Sequence, residues 1–267
     1  MKTKLVALLG GALSLGLVTS ASAADMAVKA RPMAPPPVAI YNWTGFYIGA
    51  HVGGGWNEGD TSTVFLPSAA AFGAAPFTVT HDHSGVMAGG QIGYNFQTNN
   101  VVFGVEADAS WTDWGRTYTV GPLLSDVGVI IPGSFQTGTT DFDFFGTVRG
   151  RLGFAANNWL LYATGGLAYA DIRHTVVTAF PPGALFTGAS GDDLRAGWTV
   201  GAGAEWGFAP NWSLKAEYLY YDLGNTTVTQ LDPLNPGFSV ATTFENTGHI
   251  ARLGINYRFG GPLVARY

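Results

Sequence analysis

The chain has 267 residues, enough for one large or two ordinary domains, and its charged fraction of 12% is about half that of a typical soluble domain. Its 38 glycines and 47% hydrophobic residues are dispersed, and beyond the N-terminus no run of about 18 apolar residues occurs, which excludes a helical membrane bundle. Cysteine is absent, so disulfides, thiol nucleophiles and cysteine metal sites are excluded, and a net charge of −5 argues against nucleic acid as a partner.

Lys2 and Lys4 precede the apolar stretch Leu5–Val18 and the small-residue run Ser20-Ala21-Ser22-Ala23. This is the pattern of a secretory signal peptide over residues 1–23, with cleavage expected after Ala23, and its apolar core is too short to anchor in a membrane. Cleavage would leave 11 basic and 18 acidic residues, a net charge of −7. The stretch "DMAVKARPMAPPPVAIYNWTG" is proline-rich and reads as an extended linker over 24–45 on the periplasmic side.

From Phe46 to Phe259, eight glycine- and aromatic-rich stretches read as strands near 46–56, 85–96, 101–111, 143–154, 159–170, 196–208, 212–222 and 249–259. Each spans about 10–13 residues, close to what a tilted strand needs to cross a bilayer. Three of the breaks are short ("QTNN" 97–100, "AANN" 155–158, "APN" 209–211), and four are long (57–84, 112–142, 171–195, 223–248). Short and long connections in strict alternation are the plan of an outer-membrane barrel, and a soluble sandwich has no reason to sort its loops this way. The even-numbered strands also finish on a shared tetrad: Gln91-Ile92-Gly93-Tyr94, Arg151-Leu152-Gly153-Phe154, Glu205-Trp206-Gly207-Phe208 and Arg252-Leu253-Gly254-Ile255.

The stretch "RLGINYRF" (252–259) alternates Arg252, Gly254, Asn256 and Arg258 with Leu253, Ile255, Tyr257 and Phe259. Lipid outside and a small enclosed space inside require such a two-faced strand. The third strand likewise places Val101, Phe103, Val105, Ala107, Ala109 and Trp111 outward, and Val102, Gly104, Glu106, Asp108 and Ser110 inward. The fourth is expected to send Asp143, Thr147, Arg149 and Arg151 inward. The expected lumen charge set is therefore Glu106, Asp108, Arg149, Arg151, Glu205, Lys215, Glu217, Arg252 and Arg258. Acids and bases nearly balance, which reads as a cross-braced plug; on this reading, replacing both Arg149 and Arg151 by alanine should raise conductance. Aromatic residues gather at the strand ends, as the two membrane interfaces require, with Phe103, Phe154 and Phe208 among those at the lower rim and Trp111, Trp198 and Tyr220 among those at the upper.

No phosphate loop, zinc-helix motif or nucleophile elbow is present. His81-Asp82-His83 could begin a metal or haem site, but no third ligand is evident, and solvated residues of the first long loop is the better reading. His51, His83 or His174 near Ser84 would be the candidates for a catalytic pair, yet nothing in the sequence holds them together. No catalytic, cofactor or metal residue is therefore assigned, and no cofactor is expected. The long loops carry eleven acidic residues, Asp60, Asp126 and Asp232 among them, against Arg116, Arg173 and Arg195, an excess that usually reflects solvation.

"NWTGFYIGAHVGGGW" (42–56) after a proline-rich segment, with "RLGINYRFGGP" near the end, resembles the small outer-membrane β-barrel proteins of alphaproteobacteria. That group is related to the surface antigens of Brucella and the rhizobia, and more distantly to the transmembrane domain of outer-membrane protein A. The resemblance implies an assembly signal at Gly254, Tyr257 and Phe259, read by the barrel assembly machinery, although "GGPLVARY" continues past Phe259 as a tail over 260–267. The expectation is an all-β, eight-stranded antiparallel up-and-down barrel over 46–259. It would be a monomer among outer-membrane lipids and lipopolysaccharide, with a structural and surface role in the Gram-negative envelope. A small porin, or a loop-mediated receptor for haem or a host ligand, are the alternatives.

Overall fold

Asn99 and Asn157 take left-handed backbone conformations, φ 52° and 54°, each opening a two-residue hairpin turn. Asparagine tolerates that region better than other residues with a Cβ, and such turns match the twist of the flanking strands. These turns and the third, Pro210-Asn211, lie at one end of a computed structural model that describes residues 41–190 and 193–260. The signal peptide, most of the linker and the tail beyond Gly260 lie outside the described residues.

The strands are β1 (Gly45–Leu66), β2 (Phe77–Thr98), β3 (Val101–Val120), β4 (Phe135–Ala156), β5 (Trp159–Phe180), β6 (Ala184–Ala189), β7 (Asp193–Ala209), β8 (Trp212–Leu231) and β9 (Ser239–Phe259). All pairings are antiparallel, and the ring closes where Phe46 of β1 meets Phe259 of β9. Nine strands fill eight positions. β5 pairs with β7 up to Ile172↔Asp193 and with β6 from Thr175↔Ala189, so β6 and β7 are successive pieces of one barrel stave.

The staves are about twice as long as the sequence pattern suggests. A 22-residue strand such as β1 or β4 runs roughly 70 Å, or about 50 Å of height at a 45° tilt, against an apolar band of ~25 Å. Most of what reads as long loops is therefore strand. The outer face marks where the wall leaves lipid. Below Trp111 the outward residues are aliphatic and aromatic, Ile92, Val105, Leu152 and Phe154 among them; above it, paired threonines and serines take over, as in Thr117–Thr139, Thr119–Thr137, Thr227–Thr243 and Ser62–Thr78. β-bulges interrupt the register near this level, between Trp111 and Trp114, Phe142 and Phe144, and Asp222 and Asn225. The second of these corrects the expected inward position of Asp143. The extra residue shifts the strand's phase, so Phe142 and Phe145 are buried while Asp143 is exposed.

Candidate functional site

The lumen is filled in layers, each set by the inward phase of the staves. At the short-turn end, Trp43 is tucked inside against Val102, Ala155, Leu160 and Tyr162, with Tyr41 beside it. Arg258 belongs here. Its guanidinium lies 4.6 Å from the Tyr41 ring centroid and donates to Pro210 O at 2.8 Å.

The next layer holds the other eight residues of the expected charge set in one network. Glu106 accepts from Arg149 (2.6 Å) and Lys215 (3.0 Å), with Arg151 at 3.4 Å. Asp108 accepts from Arg149 (3.0 Å) and Arg252 (2.9 Å). Glu217 accepts from Arg149 (3.0 Å) and Arg252 (2.7 Å), and Glu205 from Arg151. Four carboxylates thus face four cations, all at or below 5% exposure. Balance of this kind is what burial demands, because an unpaired charge removed from water is costly.

Two tyrosines complete the network. Tyr47 OH donates to Glu106 at 2.7 Å while accepting from Arg151, and Tyr162 OH donates to Glu217 at 2.9 Å as its ring lies 3.9 Å below the Arg151 guanidinium. Neither belongs to the expected charge set, although each sits in the inward phase of its strand, and glycines (Gly93 and Gly203) leave room for their rings.

Beside the network, His51 Nδ1 bonds the Gln91 amide oxygen, so Nδ1 carries the proton and Nε2 accepts from the Ser110 hydroxyl at 2.7 Å. Ser110 is fully buried, out of reach of any substrate. His174 lies elsewhere, buried higher in the wall against Phe244 and Thr140. His51 and His174 are therefore not gathered into one site. His81 and His83 lie in β2, not in a loop, and their side chains are outside the described residues.

Above the charges, Trp114 spans the lumen with Phe142, Phe145 and Tyr221, its ring parallel to Tyr221 at 6.3 Å. A Cβ on Gly55 or Gly85 would stand 2.3 Å from the indole, so both positions must be glycine for the ring to lie flat. A neutral belt follows. Gln136 bonds Thr63, Thr178 and Thr242, Gln230 bonds Thr178 and Thr242, and all five are essentially unexposed. The loop end is closed by a last apolar layer of Phe65, Ala74, Leu123, Phe186 and Val240.

A closed ring of eight antiparallel staves, an apolar outer band edged by aromatic residues and a polar interior is the architecture of an outer-membrane barrel. The model of the outer membrane protein beta-barrel domain family matches residues 12–259. The chain belongs to that family. Its relatives in the family include the 31 kDa outer-membrane immunogenic protein of Brucella melitensis, 36% identical over 248 residues, covering 90% of this chain and 94% of the relative. The 25 kDa outer-membrane immunogenic protein of Brucella canis is 30% identical over 252 residues, covering 90% and 91%. Among solved structures, the outer membrane protein OprG of Pseudomonas aeruginosa shares the fold at a TM-score of 0.50 and 12% identity, covering 82% of this chain and 98% of that one. This beta-barrel protein therefore resides in the outer membrane of a Gram-negative bacterium and has a structural and surface role in its envelope. By their names, these relatives are outer-membrane immunogenic proteins.

Proposed function

We propose that the protein is a sealed, monomeric envelope barrel that conducts no solute and catalyses no reaction. It would act through its lipid-facing wall and through the loop-bearing end that it raises above the membrane. The observation that carries this reading is the lumen charge layer, in which Arg149 of β4 bonds Glu106 and Asp108 of β3 and Glu217 of β8 at once. Opening a pore there would strand buried charges, and the aromatic and Gln/Thr layers would still stand in the path.

In bacterial barrels the short turns face the periplasm and the longer loops face outward, so the half of each stave above the level of Trp111 would stand outside the cell. Lipids and lipopolysaccharide would surround the apolar band, and a ring without free edges needs no partner to complete it. Gly254, Tyr257 and Phe259 would be read by the assembly machinery. Phe259 is half exposed on the outer wall, with its ring edge-on to Tyr257 at 5.1 Å.

The test is single-channel recording on refolded protein in planar bilayers. The expected trace shows no steady conductance. A large, stable open level from the unmutated chain would establish the porin reading instead.

A further inference from the structure

At the loop end, all four connections converge on a cavity of about 370 Å³, lined by Phe72, Ile131, Phe180, Ala184, Phe186 and Phe238 together with Gly73 and Asn235. Ligand pockets start at roughly 300 Å³, and an apolar cavity of ~150 Å³ already accepts benzene. The rings are braced against each other. Phe72 meets Phe180 at 5.2 Å (60°), Phe186 at 5.2 Å (48°) and Phe238 at 5.5 Å (90°), the edge-to-face and tilted geometries that aromatic pairs prefer.

The loops that carry these rings are held by hydrogen bonds within and between them. Ala75 N donates to Leu124 O (2.9 Å), and Ser134 Oγ accepts from Leu123 N (2.8 Å) while donating to Ile131 O (2.7 Å). Asp232 accepts from Leu185 N, Leu234 N and the Asn235 amide, joining the third loop to the fourth. Among the described lining residues no side chain is charged, and the buried Phe65 and Val240 beneath, with the Gln/Thr belt under them, give the cavity a floor.

We propose that this cavity is a binding site for a small, neutral aromatic molecule of one or two fused rings. Four phenyl rings offer faces and edges to another ring, the volume excludes anything as large as a folded segment, and the absence of a lining charge disfavours ions. The closed floor makes it a site of capture at the cell surface and not the mouth of a passage.

Indole titrated into the refolded full-length protein, followed by methyl NMR, tests the proposal. The Ile131 methyl should shift saturably, while Ile92 and Ile255 on the lipid-facing wall report only partitioning into detergent. Ala184→Leu, which fills the cavity, should weaken the apparent affinity at least tenfold and leave the buried Ile172 signal and the cold-gel migration of the folded form unchanged. An Ile131 shift that tracks Ile92 without saturating, or that survives Ala184→Leu, would overturn the proposal. So would saturation by tetramethylammonium at lower concentration than indole, because the cage would then be a cation site.

Discussion

Arg149 on β4 reaches Glu217 on β8 across the barrel, Nη1 to Oε1 at 3.0 Å, although the two staves are not neighbours in the ring. The contact is a strut. It holds opposite walls at a fixed spacing and is formed only once the ring has closed.

Glu217→Gln should therefore cost more than the loss of one surface pair. It leaves Arg149 and Arg252 short of a buried partner, and breaking a buried pair costs about 3–5 kcal/mol. The urea midpoint of the refolded barrel should fall accordingly. A midpoint within error of the parent would show that the network contributes little to stability.

Removing the struts should not by itself make a pore. The balanced inward charges taken alone predict that Arg149→Ala with Arg151→Ala raises conductance. The structure reverses that expectation, because Trp114, Phe142, Phe145 and Tyr221 and then the Gln136/Gln230 belt lie across the lumen above. The double variant should show no steady conductance in planar bilayers. A stable open level would mean that the upper layers do not seal.

Trp114 and its glycine cradle should behave as one unit. Trp114→Ala should cost about 3–5 kcal/mol as a cavity, and Gly55→Val about 1–3 kcal/mol by overpacking. Combined, they should cost clearly less than the sum, because the new side chain enters the space the indole leaves. Additive losses in urea unfolding would argue against the contact.

His174 makes the part of the barrel above the membrane sensitive to acid. Burial against Phe244 pushes its pKa down to about 4 from the usual 6.5, with the charge of Arg195 adding to the shift. The unfolded chain then binds the proton more readily than the folded one. The contribution is complete above pH 6.5 and is lost as pH falls towards 4, by about 3 kcal/mol in all. His174→Gln should flatten the decline in stability between pH 7 and 4.5, and an identical slope in the variant would exclude His174 as its source.

Phe259→Ala should lower the outer-membrane yield far more than Tyr267→Ala, measured as the fraction of protein that migrates as the compact form on an unboiled gel. The reverse ranking would place the assembly signal in the tail.

The amino-acid order alone settles the class of fold. Inside a bilayer, lipid and lumen impose opposite demands on alternate residues, so the period-2 pattern of "VVFGVEADASW" (101–111) survives any detail of packing. The short turns are legible for a similar reason, since asparagine at 99 and 157 answers a local backbone requirement. Above Trp111 the pattern fails. Thr117 and Thr119 face water, while Tyr118 faces an interior of mixed polarity, so no hydrophobic alternation marks the strand and a 20-residue stave reads as half strand and half loop. The bulge that turns Asp143 outward is equally silent, because a one-residue slip depends on how the neighbouring staves pair. Membership of the lumen charge set follows from phase, but its wiring does not. Arg149 with Glu217, Arg258 apart with Tyr41, and four loops meeting around Phe72 all join residues far apart in the chain. Only closure of the ring brings such groups within a few ångströms of one another.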